Sequence, residues 1–415
     1  MRKSPVKTPK RIRSSSQISL PFGAEGLFKK QGQKPHPALL PGDWRLLVPV
    51  LILCLFGLVM IYNASSLLAE RSHHDSFYFI KKQLQWSLIG LIAFVAASRV
   101  EIGRLRAWII PMAALVFLLL TSVLLFGAEI NGARRWIGIG PFTLQPSEMA
   151  KLFTVLYLAH YIAKKEDRLK SFLDGTAPPL VVIGLMSLLI LVEPDLGTTV
   201  VILSLTLSLL FLGGMPITQL LSLLGMIVPF LTYWIVSSPY RLERILTFLN
   251  PWKEPFGSGF QVIQSQIALG SGGLTGTGLA EGKQILFFLP EPHTDFIFAV
   301  IGETFGLLGT LFVLALFSAI LWRGGRTALL IETPFHRLLA IGMTLVMTLP
   351  ALLNMGVVTG LLPTKGLPLP FLSYGGSSLL ANSIALGLLY NLSREVCGRS
   401  FWKTEKASSL WEGLR

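Results

Sequence analysis

A short stretch of the chain, Leu289–Phe296, places a carboxylate and an imidazole directly before a long apolar run. Charges close to hydrocarbon cost free energy unless they face a polar cavity. Two prolines restrict the backbone ahead of the run, and the positive end of a helix dipole favours an ionised Asp295. Asp295 and His293 are therefore candidate general bases. The simpler interpretation is that Thr294 or Asp295 only caps the helix that follows.

Further charged residues lie in short Gly- and Pro-containing stretches between apolar runs. Arg134 and Arg135 precede Trp136, and Glu148 and Lys151 stand three residues apart at the start of another run. That spacing puts Glu148 and Lys151 on one helix face, where they can form an ion pair. Inside a span, such a pair points to the bundle interior. The structural alternatives are an ion pair that only holds helices together and arginines that anchor at the membrane interface.

The longest polar stretch, Ser237–Asp295, contains Arg241 and Arg244 and a glycine-rich run, Gly270–Gly278. This run has neither the Gly-Lys-Ser/Thr ending of a Walker A loop nor the spacing of a dinucleotide fingerprint. Its glycines permit tight turns or the close approach of a ligand to backbone N–H groups. Residues Gln261–Gly270 are predicted to form an amphipathic helix lying on the membrane.

The last polar stretch carries Lys365, Ser373 and Ser377 among glycines and prolines. Non-helical backbone at membrane depth is tolerated only where protein or a wet cavity covers it. These stretches together therefore predict a polar pocket lined by cations and carboxylates. Such a pocket suits an anionic, lipid-linked substrate, and a diphosphate in particular, because Arg offers a planar fork to phosphate oxygens.

The composition indicates an integral membrane protein, since 52% of the 415 residues are hydrophobic, only 14% are charged, and the mean hydropathy is +0.62. Soluble domains carry about 25% charged residues. The net charge of +14 does not predict a nucleic-acid partner, because the basic residues are unevenly distributed along the chain. Cys54 and Cys397 offer neither a disulfide framework nor metal-ligand spacing. No carboxylate cluster has ligand spacing, although a Mg²⁺ or Mn²⁺ ion bridging a diphosphate needs only one or two carboxylates.

The apolar runs predict an all-α, polytopic protein with about ten transmembrane helices, each of spanning length. Residues 1–44 are predicted to be a disordered, basic cytoplasmic tail, residues 45–393 the membrane domain, and residues 394–415 a cytoplasmic tail. Residues 237–295 form a large loop between the seventh and eighth helices. The predicted spans are Leu46–Ser66, Gln83–Ala97, Ala107–Phe126, Pro146–Ile162, Pro179–Leu191, Thr198–Leu212, Ile217–Val236, Phe296–Leu321, Arg337–Leu361 and Pro370–Leu389.

Most of the 36 Lys and Arg residues fall in the two tails and in three connections between runs. Cytoplasmic loops carry such an excess of basic residues, so we expect both termini to be cytoplasmic. The polar stretches described above then lie on the outer face. The three basic connections are Arg99–Arg106, Lys164–Lys170 and Arg323–Arg337.

Five segments, in their order and spacing, resemble the SEDS family (shape, elongation, division and sporulation). The resemblance covers about Leu46 to Ser393 and is closer to the FtsW and SpoVE members than to RodA. One departure is Glu303-Thr304, where two consecutive acidic residues are expected. The segments are Asn131–Trp136, Gln145–Lys151, Glu193–Gly197, Leu289–Phe296 and Asn354–Ser378.

This resemblance implies a ten-helix peptidoglycan glycosyltransferase of the bacterial cytoplasmic membrane that polymerises lipid II on the outer face, in septal or sporulation wall synthesis. It implies a class B penicillin-binding transpeptidase and other division proteins as partners. The family's essential aspartate falls on Asp295. Its polar residues on the fourth span fall on Glu148 and Lys151, and its double arginine on Arg134 and Arg135.

We expect one inverting displacement, with Asp295 as the general base and His293 as its rival. Arg134, Arg135 and Lys151, with Arg241 or Arg244, are expected to hold the diphosphate. Two other classes of function stay open: a lipid II flippase or transporter, and a non-catalytic scaffold that recruits a transpeptidase. The concentration of polar residues on one face favours the enzyme.

Overall fold

The computed structural model describes residues 42–130, 133–140, 142–257, 259–279, 282 and 292–412. Each predicted apolar run is occupied by a helix, and two more helices lie in the described part of the large loop. The helices are α1 (Trp44–His73), α2 (Tyr78–Arg99), α3 (Ile109–Phe126), α4 (Pro146–Lys164), α5 (Ala177–Val192), α6 (Leu196–Leu212), α7 (Ile217–Val236), α8 (Pro239–Leu249), α9 (Phe260–Gly272), α10 (Ile297–Leu330), α11 (Pro334–Val358) and α12 (Gly376–Glu412).

The helix starts follow local sequence signals. Asp43 caps α1 by accepting a hydrogen bond from Arg45 N (3.2 Å), which satisfies one of the unpaired N–H groups of the first turn. Proline occupies the first turn of α4, α8 and α11, as Pro146, Pro239 and Pro334. Proline is favoured there because its missing N–H costs no intrahelical hydrogen bond.

Within the part of the chain that the structure describes, six helical segments are long and apolar enough to cross a membrane, and the protein is a multi-pass membrane protein. Helix α6 is a shorter apolar helix. The predicted all-α fold is confirmed by this arrangement, whereas the predicted number of ten crossings stays a prediction. The six segments are Trp44–His73, Ile102–Phe126, Phe172–Val192, Ile217–Val236, Ile297–Leu330 and Pro334–Val358.

The core of the bundle surrounds α4 and α11. Helix α4 is buried along most of its length and packs against α3, α6 and α11. Helix α11 also packs against α10 and α12, and α12 packs along α2. By contrast, α7 is peripheral, and among its described residues only Leu223 is buried.

A small antiparallel sheet precedes α4, in a stretch for which the sequence suggested no strand. Its strands are β1 (Ala128–Ile130), β2 (Ala133–Ile139) and β3 (Phe142–Leu144), in the order β1-β2-β3. The register pairs Glu129 with Arg134 and Gly138 with Thr143. The sheet places Arg134 and Arg135 on one extended strand, so their side chains point to opposite faces.

The large loop between α7 and α10 is partly helical. The predicted helix at Gln261–Gly270 is confirmed as α9, which packs against α10 with Val262, Ile263 and Ala268 buried. Residues 280, 281 and 283–291 lie outside the described residues, as do residues 1–41 and Asn131 and Gly132.

The glycine-rich run contacts the backbone of a helix. Helix α10 is broken at Gly306, whose φ of +63° favours glycine. The run fills the break, because Leu307 N donates to Gly273 O (2.9 Å), Thr277 N to Glu303 O (2.9 Å) and Gly278 N to Thr304 O (3.1 Å). Gly272 and Gly276 allow this close approach, because a Cβ on Gly272 would overlap Gly302 O and one on Gly276 would overlap Thr304 O.

Helices α10 and α12 start later in the chain than predicted, the first of them by a single residue. Helix α10 begins at Ile297, and its N-cap residue, Phe296, makes no side-chain capping bond. Asp295 therefore directly precedes the N-cap position. Helix α12 begins at Gly376, because residues 370–375 form turns that include Phe371 with a φ of +63°. The C-terminal segment from residue 394, predicted to be a tail, continues α12 to Glu412.

Candidate active site

A cavity of about 180 Å³ lies between the α5–α6 junction, the ends of α7 and α8, and residues 363–366. Four cationic side chains from separate parts of the chain line it: Arg135, Arg241, Arg244 and Lys365. Its other walls are largely apolar and include Trp234. Cations beside an apolar surface suit an anionic group attached to a lipid.

Two of these arginines are held by backbone carbonyl groups. Arg135 Nε donates to Glu193 O (3.1 Å), and its terminal nitrogen donates to Pro194 O (2.5 Å). Arg241 donates to Trp234 O (2.5 Å), and its guanidinium lies 4.4 Å from the Trp234 ring centroid. Carbonyl acceptors fix the orientation of a guanidinium group without neutralising its charge, so both arginines remain able to attract an anion.

A buried acid lies beside Arg135. Burial, reinforced by the nearby Asp195 and opposed by Arg135, raises the pKa of Glu193 to about 8. Glu193 is therefore mostly neutral at pH 7 and does not cancel the Arg135 charge. Neither of its carboxyl oxygens has a hydrogen-bond partner within the part of the chain that the structure describes.

Lys365 approaches the cavity from the segment between α11 and α12. Burial lowers the pKa of Lys365, because the charged form loses hydration there. Across the described ranges, its ammonium group forms no ion pair, unlike that of Lys81, which pairs with Asp75. Binding an anion would therefore favour the charged form of Lys365.

Asp295 is not itself in the cavity lining but contacts Gly366, which is. A methyl group at Gly366 would lie 3.0 Å from Asp295 Oδ2, so the carboxylate stands over Gly366, which lines the cavity beside Lys365. The Asp295 carbonyl accepts a hydrogen bond from Asn354 Nδ2 (2.7 Å). The structure thus places the predicted base against Gly366, the neighbour of the cavity cation Lys365.

Asp195 also lines the cavity but is committed to structural hydrogen bonds. As the N-cap of α6, its carboxylate accepts from Thr198 N (3.0 Å) and from Thr198 Oγ1 (2.7 Å). Gln145 Nε2 donates to it at 3.0 Å. Asp195 therefore ties the start of α4 to the start of α6.

Two of the predicted cations, Arg134 and Lys151, lie apart from the lining of this cavity. Arg134 is exposed and pairs with Glu129 at 3.6 Å. Lys151 and Glu148 form the predicted ion pair at 2.8 Å, and both side chains are buried. Alternation along β2 explains why Arg135 reaches the cavity and Arg134 does not.

His293 lies in an aromatic cluster. Its ring centroid is 4.3 Å from that of Phe79 and 5.5 Å from that of Tyr374. Burial lowers the pKa of His293 to about 4, so the imidazole is neutral at pH 7. Its Nδ1 has no hydrogen-bond partner among the residues that the structure describes. A buried side chain packed between rings is a poor candidate for a base that must reach a substrate.

The two predicted serines make structural hydrogen bonds. Ser373 Oγ accepts from Leu369 N (2.8 Å), which shapes the turn before α12. Ser377 Oγ accepts from Gln145 N (2.9 Å) and donates to Thr143 O (3.0 Å), which joins α12 to the β3–α4 connection.

Sequence reasoning missed Asn354 and Gly366 as site residues. A signal for Asn354 was present, because a buried amide in an apolar helix requires partners and often marks a functional position. Among the described residues, no group of three or more His, Cys, Asp or Glu side chains forms a metal-ligand set.

The fold and the site together define a class: a multi-pass helical membrane protein with a cationic cavity beside a carboxylate. A sequence profile of the FtsW/RodA/SpoVE family, described as cell cycle proteins, matches residues 44–397. Since this match covers most of the chain, the protein belongs to the FtsW/RodA/SpoVE family, as its motifs predicted.

Individual relatives agree with this membership. The chain is 43% identical over 355 residues to the probable peptidoglycan glycosyltransferase FtsW of Geobacter metallireducens, covering 85% of this chain and 94% of that one. It is 42% identical over 355 residues to the stage V sporulation protein E of Bacillus subtilis, covering 85% and 97%.

Solved structures share the fold. A chain from a peptidoglycan synthase complex, whose structure concerns the coordination of polymerization and crosslinking, superposes with a TM-score of 0.71 at 32% identity, covering 86% of this chain and 98% of that one. The rod shape determining protein RodA of Thermus thermophilus superposes with a TM-score of 0.61 at 28% identity, covering 85% and 97%.

Proposed function

We propose that this chain is a peptidoglycan glycosyltransferase that polymerises lipid II on the outer face of the bacterial cytoplasmic membrane, in division or sporulation. The observation that carries the proposal is the contact of Asp295 with Gly366, which lies in the wall of a cavity lined by four cations. Support comes from the relatives, which include the probable peptidoglycan glycosyltransferase FtsW of Geobacter metallireducens at 43% identity.

The proposed topology places both termini in the cytoplasm. The basic connections then face the cytoplasm, and the cavity, which is built from the predicted outer stretches, opens on the opposite side. A class B penicillin-binding transpeptidase is the proposed partner, since a similar chain belongs to a peptidoglycan synthase complex.

The proposed reaction is a single inverting displacement. The acceptor 4-hydroxyl attacks the anomeric carbon of an α-linked sugar diphosphate and forms a β-1,4 bond. The anomeric C–O bond breaks, and the diphosphate leaves with the electron pair. Asp295 accepts the hydroxyl proton as general base, an effect typically worth about 10²–10⁴ in rate.

The four cavity cations stabilise the leaving group. Arg135, Arg241, Arg244 and Lys365 surround the space in which diphosphate charge would accumulate. Charge-assisted hydrogen bonds are most effective when they strengthen in the transition state. A diphosphate leaves without protonation, so no second carboxylic acid is required, in contrast to glycoside hydrolysis. Arg134 and Lys151 lie apart from the cavity lining, so the proposed clamp does not include them.

The test is polymerisation of labelled lipid II by the purified full-length chain, alone and with a transpeptidase. Asp295→Asn preserves size but removes basicity, so the rate should fall by about 10²–10⁴ while folding is retained. Asp75→Asn is the matched control, because Asp75 is a carboxylate in an exposed ion pair with Lys81. Glycan chains made at the parent rate by Asp295→Asn would refute the base assignment.

The same preparation separates the enzyme from the other functions. A transporter would move labelled lipid II across vesicles and form no polymer, with or without the transpeptidase. A scaffold would bind the transpeptidase but neither move nor polymerise the lipid. Polymer formation that depends on Asp295 distinguishes the proposed enzyme from both.

A further inference from the structure

We propose that Asn354 is a positioning residue that holds the Asp295 carboxylate in place. This inference rests on the proposed function, because it assigns to Asn354 a role in the reaction at Asp295. Asn354 lies on α11, is 1% exposed, and is not among the residues that line the cavity. It therefore acts through its neighbours.

The amide of Asn354 joins the Asp295 stretch to a segment of the cavity wall. Its Nδ2 donates to Asp295 O (2.7 Å) and to Leu367 O (2.7 Å). Leu367 directly follows Lys365 and Gly366, which lie in the cavity wall. One side chain thus fixes the distance between the stretch that carries the base and the segment that carries a cation.

Both carbonyl groups belong to non-helical backbone, which cannot satisfy them through a helical ladder. Such groups need partners when they are shielded from water. A side-chain amide offers two N–H donors at a fixed angle, whereas a Leu side chain of similar size offers none. The chemistry of this position therefore requires a two-proton donor and not only a side chain of suitable volume.

Two further contacts fix the same stretch. Tyr374 N donates to His293 O (2.9 Å), so the backbone is held two residues before Asp295 as well. The carboxylate itself lies against Gly366, where a methyl group would be 3.0 Å from Oδ2. The α11–α12 segment therefore contacts the Asp295 stretch at its backbone and at its reactive group.

The functional consequence is the alignment of the Asp295 carboxylate with the substrate hydroxyl. A general base must lie within hydrogen-bonding distance of the proton that it accepts, and a displacement of about 1 Å can cost about 10²-fold in rate. Loss of the Asn354 bridge would free the two segments to separate while leaving the cationic cavity present. Turnover should then fall more than substrate binding.

The first experiment measures lipid II polymerisation by Asn354→Leu in the full-length chain. We expect kcat to fall by about 10²-fold with little change in KM. Asn382→Leu is the matched control, because Asn382 is also 1% exposed but donates within its own helix, to Ser378 O (2.7 Å). An unchanged kcat in Asn354→Leu, or an equal fall in kcat in Asn382→Leu, would overturn the proposal.

A double variant identifies the group through which Asn354 acts. If Asn354 works only by placing the Asp295 carboxylate, Asn354→Leu should cause no further loss in an Asp295→Asn background. Equal losses in both backgrounds would overturn the role of Asn354 alone. A parental rate in Asp295→Asn by itself would instead overturn the assignment of the base.

Gly366→Ala keeps the proposal testable if Asn354→Leu does not fold. The added methyl group would press on the Asp295 carboxylate, so kcat should fall while KM changes little. Gly375→Ala in the same segment is the control, because its methyl group would meet no atom nearer than 3.8 Å. A parental kcat in Gly366→Ala would show that the position of the Asp295 carboxylate does not affect the reaction, which would overturn the role proposed for Asn354.

Discussion

Two charged regions of this protein differ in whether their charges are neutralised. Glu148 and Lys151 neutralise each other at 2.8 Å in the buried core of the bundle. Arg135 and Arg241, on the cavity wall, donate to carbonyl groups and keep their charge. The first arrangement stabilises α4 in its place, whereas the second holds unneutralised charge ready for an anionic ligand. The sign of a charge alone therefore does not separate structural from functional positions. The group that accepts its hydrogen bonds does: a carboxylate neutralises the cation, whereas a backbone carbonyl does not.

The largest expected effect comes from breaking the buried pair. Lys151→Met should lower the free energy of unfolding by about 3–5 kcal/mol, because it leaves the Glu148 carboxylate buried without its counter-ion. Thermal unfolding of the purified protein in detergent measures this loss. The double variant Glu148→Gln/Lys151→Met should recover much of it.

An exposed pair provides the control for that prediction. Lys81 and Asp75 form a salt bridge with side-chain exposures of 63% and 33%, and exposed pairs contribute about 0–1 kcal/mol. Lys81→Met should therefore change the unfolding temperature little. Equal destabilisation by Lys81→Met and Lys151→Met would show that burial does not govern the difference.

The next effect concerns Glu193, the buried neutral acid beside Arg135. The pKa of Glu193 is about 8 in the folded protein, against an ordinary value of 4.5, so the folded state binds this proton more tightly than the unfolded state. Its contribution to stability is fully present below the ordinary value and is lost as the pH rises to about 8. Each pKa unit corresponds to about 1.4 kcal/mol.

Glu193→Gln removes the titrating group, so the variant shows how much of the pH dependence of stability comes from Glu193. The parent protein should lose stability relative to the variant as the pH is raised from about 4.5 to about 8. Unfolding temperatures of both proteins, measured across that pH range, provide the test. Parallel pH profiles would contradict the raised pKa of Glu193.

The smallest of these effects tests the charge of the cavity. Arg135→Ala and Arg241→Ala should each cost about 1.5–3 kcal/mol of transition-state stabilisation, the range for hydrogen bonds to charged groups. Polymerisation rates, compared with unfolding temperatures, separate this loss from destabilisation. Arg134→Ala, on the same strand as Arg135, removes only an exposed pair with Glu129 and should leave the rate near that of the parent. A similar fall in rate for Arg134→Ala would remove the distinction between the two arginines.

The sequence by itself determined the features that depend on local periodicity and spacing. The apolar runs predicted the membrane helices, because hydrophobic length is a property of consecutive residues. The three-residue spacing predicted the Glu148–Lys151 pair, because helix geometry alone brings those side chains together. Motif spacing predicted the family, and it identified Asp295 as the residue to test.

Only the tertiary structure decided which cations meet. Arg135, Arg241 and Lys365 come from β2, α8 and the α11–α12 segment, and no local rule relates positions so far apart in the chain. Because side chains alternate along β2, Arg135 faces the cavity and Arg134 faces the surface. The sequence contained no clear signal for this strand. The position of Asp295 over Gly366 depends in the same way on Asn354, whose hydrogen bonds join segments 59 and 13 residues away along the chain. Long-range packing sets such distances, so the roles of these residues followed only from the folded bundle.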